Sequence, residues 1–219
     1  MTPQLFGHPF SSYTWKALIA FHQNDTPFEF RVLDQDHPEN GRELARRWPL
    51  AKFPVLVHGE RFVAEATIII EYLALHFPGP VVLIPDDKDG AIEARMLDRF
   101  FDNYVMTPMQ KLVADALRRE DSRDAYGVGE AQSTLDTAYA ILDRWMSTRE
   151  WAAAGQFSIA DCAAAPALFY ADWVRPIPDQ LAHARAYRAR LLARPSIAGV
   201  VDRARPYRHL FPCGAPDRD

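Results

Sequence analysis

The spacing of hydrophobic and polar positions divides the chain into two parts. In the first part, four short runs have the alternation and β-rich composition of strands: Gln4 to Phe6, Phe28 to Leu33, Lys52 to Val57 and Arg61 to Ala64. Helical spacing predicts three helices among them: Tyr13 to Gln23, Pro38 to Arg47 and Glu65 to His76. The predicted order is therefore βαβαββα.

This order predicts a mixed sheet, because a right-handed crossover makes the first two strands parallel and the closing hairpin is antiparallel. Residues 79–90 lie in a stretch rich in Pro, Gly and Asp, and are interpreted as a linker. The remainder is helical in spacing: Ile92 to Arg119, Gly129 to Ser147, Ser158 to Tyr170, Asp179 to Ala193 and Pro195 to Arg203. We expect an α/β thioredoxin-like N-terminal domain (1–78) followed by an all-α C-terminal domain (91–219).

Composition narrows the possible partners. The chain has 219 residues, is 48% hydrophobic and has a formal net charge of -4, so we expect a globular protein without nucleic-acid or membrane partners. The N-terminus lacks the pattern of a secretion signal, which favours the cytoplasm. Cys162 and Cys213 form no close pair, and the histidines show no metal-ligand spacing, so neither a disulfide scaffold nor a metal site is expected. We predict that Cys162 lies in the core.

The Pro54 hairpin is the most informative local feature. Pro54 has no N–H, and a cis peptide bond before it is plausible, which would leave the peptide groups of Phe53 free for a ligand. Glu65 opens the following helix. The arrangement resembles the thioredoxin-like half of the cytosolic glutathione transferase family, in which a cis-proline and a later Glu-Ser pair hold glutathione.

The resemblance implies glutathione as co-substrate and a role for several residues. Phe53 would use its backbone on the cysteinyl peptide, Glu65 would contact the γ-glutamyl group, and Lys52 would assist with the glycine carboxylate. The family usually has Ser or Thr after that glutamate, whereas this chain has Ala66 followed by Thr67. The missing hydrogen bond to a charged group would cost about 1.5–3 kcal/mol unless Thr67 replaces it, although Ala66 can still donate its backbone N–H.

The catalytic candidates stand at the start of the first helix. A thiol is mostly protonated at neutral pH, and hydroxyl donors at a helix N-terminus stabilise its anion. The segment Ser11-Ser12-Tyr13-Thr14-Trp15-Lys16 resembles the Ser-Ser-Cys-x-Trp-Arg start of serine-type members, particularly the zeta class. Ser11 is the first candidate, then Ser12, then Tyr13; the alternative is that the serines only cap the helix. Without a Cys-x-x-Cys motif, dithiol exchange is excluded.

The electrophile is expected between the domains. Its candidate pocket contains aromatic and methionine side chains, for which core packing is an equal alternative: Phe10, Phe101, Tyr104, Met106, Met109 and Trp173, beside Tyr13. Ser158 and Asp161 form a predicted capping box inside Phe-Ser-Ile-Ala-Asp, which resembles the family's buried folding element, so we assign both to stability.

Two functions follow from the resemblance. The first is a glutathione transferase, by resemblance a homodimer, that presents glutathione thiolate to a small electrophile; a zeta-like cis-trans isomerase is a variant that needs the same thiolate. The second is a non-catalytic scaffold on the same fold, which Ala66 favours. Binding of glutathione and loss of turnover in Ser11→Ala would distinguish the enzyme from the scaffold.

Overall fold

The computed structural model describes all 219 residues and contains one four-stranded sheet. The strands are β1 (Gln4–Gly7), β2 (Glu29–Val32), β3 (Val55–His58) and β4 (Arg61–Ala64). Their order in the sheet is β2-β1-β3-β4, with β1 and β2 parallel and the other two pairs antiparallel. The predicted mixed sheet is confirmed.

Nine α-helices accompany the sheet, three in the first part of the chain and six in the second. The first three are α1 (Ser12–Gln23), α2 (Pro38–Arg47) and α3 (Ala66–His76). The others are α4 (Lys88–Phe100), α5 (Thr107–Ala116), α6 (Ala125–Met146), α7 (Ile159–Val174), α8 (Ala182–Ala193) and α9 (Pro195–Ala204). A thioredoxin-like part followed by an all-helical part is thus confirmed, although α4 already begins within the predicted linker. None of the helices is both long and apolar enough to span a membrane.

The single helix predicted over Ile92 to Arg119 is divided by a π-helical stretch, Phe101–Met106, between α4 and α5. Pro108 lacks an N–H, and its ring crowds the carbonyl four residues earlier, so a regular α-helix is disfavoured there. The carbonyl of Asp102 instead accepts bonds from the backbone N–H of Thr107, five residues on, and from Thr107 Oγ1 at 2.9 Å. The helix therefore continues past Pro108 with one wide turn.

The hydrophobic core runs continuously from the sheet side into the helical part, with α7 at its centre. α7 is buried along almost its whole length and packs against α1 on one side and α4 on another. Trp15 of α1 lies with its ring 4.8 Å from that of Phe169, and the Tyr170 hydroxyl donates to the Phe10 carbonyl at 2.9 Å. Cys162 is fully buried here, as predicted. These contacts fix the loop before α1 relative to the helical domain.

The predicted capping box at the start of α7 is present. The backbone N–H of Ser158 donates to Asp161 Oδ2 at 2.8 Å, and Ser158 Oγ accepts from the N–H of Ala160 at 3.3 Å. Asp161 also accepts from the Tyr187 hydroxyl at 2.6 Å and from the Ala152 N–H at 3.0 Å. Both Ser158 and Asp161 are fully buried, so they organise the start of α7 away from any cavity.

Candidate functional site

A cavity of about 550 Å³ lies where the N-terminal ends of α1 and α3 face the junction of α4 and the π-helical stretch. Seven of the predicted thiol-site and glutathione-site residues line it: Ser11, Tyr13, Lys52, Phe53, Pro54, Glu65 and Ala66. We call it the polar cavity, because most of its lining residues are polar or charged. Segments more than fifty residues apart in sequence therefore meet in one place.

The hairpin wall offers unused hydrogen-bonding groups. The Phe53-Pro54 peptide bond is cis, as expected. Neither the N–H nor the C=O of Phe53 bonds to another backbone group, and Phe53 is 37% exposed, so its peptide is open to a ligand. Lys52 has no ion-pair partner in the protein. Glu65 caps α3 with φ 71°, the left-handed region that costs a non-glycine residue about 1–3 kcal/mol and is frequent at binding sites.

The α1 wall is formed by Ser11 and Tyr13. Ser11 is the N-cap of α1, and its Oγ accepts from the N–H of Thr14 at 3.3 Å, which leaves its own proton free to donate. Burial, together with the nearby carboxylates of Asp102 and Glu65, raises the pKa of Tyr13 to about 12, so this phenol is neutral at physiological pH. Both hydroxyls can therefore act as donors.

The third wall comes from the helical domain and was not predicted. It consists of Arg99, Asp102, Asn103 and Gln110. Arg99 lies three and four residues before Asp102 and Asn103, and Gln110 follows Asn103 by seven, so helical spacing places them near one face. The sequence signal for them was a cluster of polar residues on a predicted helix next to the linker, which is more typical of a solvated face.

Beneath this wall lies a buried charge cluster that joins the two domains. Lys16 of α1 is 1% exposed, and its Nζ lies 2.6 Å from Asp98 Oδ1 and 2.7 Å from Asp102 Oδ2. Thr67 Oγ1 accepts from the same Nζ at 2.8 Å and donates to Asp98 at 2.9 Å. The possibility that Thr67 replaces the missing hydroxyl in the cavity is therefore not supported: Thr67 does not line the cavity, because its hydroxyl is committed to this cluster.

Comparison with known proteins agrees with this geometry. Residues 5–81 match the glutathione S-transferase N-terminal domain family, and residues 102–195 match the glutathione S-transferase C-terminal domain family. The chain belongs to the glutathione S-transferase family. It is similar to glutathione S-transferase F6 of Arabidopsis thaliana, with 25% identity over 206 residues that cover 90% of this chain and 98% of the relative.

Two solved structures of the family illustrate the shared fold. A glutathione S-transferase of Methylobacterium radiotolerans, crystallised with glutathione sulfonate, has a TM-score of 0.78 at 26% identity and covers 92% of this chain and 95% of its own. A glutathione S-transferase of Methylobacillus flagellatus with glutathione bound has a TM-score of 0.81 at 22% identity, covering 91% and 98%. The second likeness concerns the fold alone.

A second cavity of about 320 Å³ adjoins the first in this glutathione S-transferase family member. Most of its lining is apolar: Phe10, Met109, Val113, Ala114, Leu117, Tyr170, Leu210, Phe211 and Pro212, with Ser11, Ser12 and Gln110. We call it the apolar cavity. Ser11 and Gln110 line both cavities, whereas Ser12 faces only the apolar one. Ser11 therefore stands on the wall that the two cavities share.

Only part of the predicted electrophile pocket reaches the apolar cavity. Phe10 and Met109 line it, but Phe101 and Met106 are buried in the core, the alternative that helical spacing had left open. Trp173 is also buried and packs against Phe211 at a ring distance of 5.1 Å, behind the cavity wall. Tyr104 is 54% exposed and lines a separate groove with Phe100 and Trp145. The structure does not bring these four side chains to the apolar cavity.

Proposed function

We propose that the chain is a glutathione transferase in which Ser11 stabilises the thiolate of glutathione for attack on a small electrophile held in the apolar cavity. The observation that carries the proposal is the place of Ser11, which lines both the polar and the apolar cavity and whose hydroxyl is free to donate. A donor that contacts both cavities can hold a nucleophile from one beside a substrate in the other.

The groups of the polar cavity fit glutathione, which carries two carboxylates, one ammonium group and two peptide bonds. Lys52 and Arg99 supply two cations, and Glu65 and Asp102 supply carboxylates that can accept from an ammonium group. The open peptide of Phe53 can pair with a ligand peptide, as a neighbouring strand would. The relative crystallised with glutathione sulfonate supports the same ligand class.

Ser11 is preferred over the other two hydroxyls on electrostatic and geometric grounds. Burial and the carboxylates of Asp102 and Glu65 raise the pKa of Tyr13, and the same surroundings would raise the pKa of a thiol beside it. Ser12 does not line the polar cavity. Ser11 stands at the N-terminus of α1, where the helix dipole adds about 0.3–1 kcal/mol in favour of an anion. On this proposal the chain is a serine-type member of the family.

The reaction follows from these positions. The Ser11 hydroxyl donates to the thiolate sulfur, which forms a bond to an electrophilic carbon while a leaving group departs with its electron pair. The Ser11 bond weakens as the sulfur loses its charge, so its main effect is on the concentration of thiolate at neutral pH. One charge-assisted hydrogen bond and the helix dipole together correspond to a thiol pKa lowered by about one to three units.

Titration calorimetry with glutathione, followed by turnover of chlorodinitrobenzene, tests the proposal. We expect binding at millimolar concentration or below, weaker binding in Glu65→Ala, and in Ser11→Ala a kcat/KM reduced about 10- to 100-fold with a higher thiol pKa. Ser133→Ala, an exposed serine on α6, is the matched control. Absence of binding at physiological glutathione levels would instead support the scaffold function that Ala66 favours.

A further inference from the structure

Arg99 is placed at the start of α3 by contacts that use only part of its guanidinium group. Nη2 contacts Thr67 Oγ1 and donates to Asp102 Oδ2 at 2.7 Å, and Nε donates to Asp98 Oδ2 at 2.9 Å. Thr67 directly follows Ala66 in the first turn of α3, and both Ala66 and Arg99 line the polar cavity. A cation therefore stands beside the position at which the family usually has a hydroxyl.

The remaining nitrogen of this group, Nη1, has no hydrogen-bond partner in the protein, whereas the other two nitrogens are each bonded. The side chain is 49% exposed, although the carboxylates that hold it are almost fully buried. Because two of its nitrogens are fixed by buried carboxylates, the third is held in place while it stays free for a ligand. Arg99 thus lines the cavity with one guanidinium nitrogen that no protein group occupies.

We propose that Arg99 binds the α-carboxylate of the γ-glutamyl group, in place of the hydroxyl that is missing at Ala66; this rests on the proposed function. A guanidinium held at two of its three nitrogens loses little conformational freedom when it binds a carboxylate. Glu65, unpaired in the same cavity, then faces the ammonium group, and Lys52 remains for the glycine carboxylate. The zwitterionic head of the ligand is thus matched by a cation and an anion from different domains.

The assignment predicts a coupling between one side chain and one ligand group, which a purely structural role of Arg99 does not produce. The probe is glutathione compared with 4-aminobutanoyl-cysteinylglycine, the same tripeptide without the α-carboxylate. We expect the wild type to bind glutathione about 10- to 100-fold more tightly than the analogue. In Arg99→Gln this preference should fall severalfold or more, because glutathione binding weakens while analogue binding stays near the wild-type value.

Two further variants make the test specific. Arg95→Gln is the matched control, since Arg95 lies one turn earlier on α4 and pairs with Glu71 outside the cavity, so its preference should equal that of the wild type. Ala66→Ser supplies the family's hydroxyl and should restore much of the glutathione affinity in Arg99→Gln. Where Arg99→Gln does not fold, Arg99→Lys keeps the charge for Asp98 and Asp102 and should show the same reduced preference.

The outcomes distinguish a failure of the proposed function from a failure of the Arg99 assignment. If the wild type does not bind glutathione at all, the proposed function is wrong and this assignment falls with it. If the wild type binds glutathione, but Arg99→Gln weakens glutathione and the analogue equally, the proposed function stands and Arg99 serves only the charge cluster. A selective loss that Ala66→Ser repairs supports the assignment.

Discussion

Replacing Asp161 by alanine should destabilise the protein strongly, although Asp161 lines neither of the two cavities. The Asp161 carboxylate accepts from the backbone N–H groups of Ala152 and Ser158 and from the hydroxyls of Ser158 and Tyr187, all in the interior. Removing it leaves four buried donors without this partner. The structure therefore predicts a large effect from a residue that lines no cavity.

The size of the effect can be worked from these contacts. Each buried donor left unsatisfied costs about 1–3 kcal/mol, so four of them cost at most about 4–12 kcal/mol. Part of this is offset, because burial raises the pKa of Asp161 and its charged form is no longer held in the interior. A net loss of about 4 kcal/mol is expected, a large share of a typical total of about 5–15 kcal/mol. The melting temperature should fall by roughly 8–16 °C.

Urea denaturation and thermal unfolding measure this loss, and a double-mutant cycle assigns it. Tyr187→Phe removes one of the donors, so the double variant should be less destabilised than the sum of the two single variants. Asp136→Ala breaks an exposed pair with Arg175 and should cost at most about 1 kcal/mol. A loss below about 1 kcal/mol in Asp161→Ala, or strict additivity with Tyr187→Phe, would refute the reasoning.

Three other outcomes follow. Lys16→Met removes the cation that pairs with two buried carboxylates, so the free energy of unfolding in urea should fall by about 3–5 kcal/mol. Lys111→Met should lower it only slightly, and equal losses in the two variants would contradict the buried cluster. Because the Tyr13 pKa is about 12, the spectrum of wild type minus Tyr13→Phe should show no tyrosinate at pH about 10.5, and a clear band would contradict this. Gly7→Ala places a Cβ 2.6 Å from Thr14 Cγ2, so the free energy of unfolding should fall by about 1–3 kcal/mol. The double variant Gly7→Ala with Thr14→Ala should recover most of this loss, and no recovery would exclude that clash.

The hairpin half of the polar cavity could be predicted from sequence because its signals are local. Pro54 restricts its own backbone and the residue before it, and Glu65 precedes a helix whose apolar spacing is clear. Such constraints act within a few residues, so they can be recognised in the sequence without knowing the fold. The capping box of Ser158 and Asp161 could be predicted for the same reason.

The helical half of the site could not be predicted, because its chemistry depends on which helix faces meet. Arg99 and Asp102 stand at ordinary polar positions of a helix, and only the approach of α1 and α3 turns that face into a cavity wall. Lys16 is buried for the same reason. The apolar candidates Phe101 and Met106 point into the core, a distinction that helical spacing alone does not make.

The π-helical stretch at Phe101–Met106 joins two helices, α4 and α5, that contribute side chains to different cavities. Its upstream side presents Arg99 to the polar cavity, and its downstream side presents Met109 to the apolar cavity. A wide turn carries an extra residue, and each residue rotates a helix by about 100°. Deletion of a single residue there would rotate α5 relative to α4 about the helix axis. In evolutionary terms, a one-codon event at this joint would exchange the α5 surface offered to the apolar cavity while Arg99 keeps its place on α4.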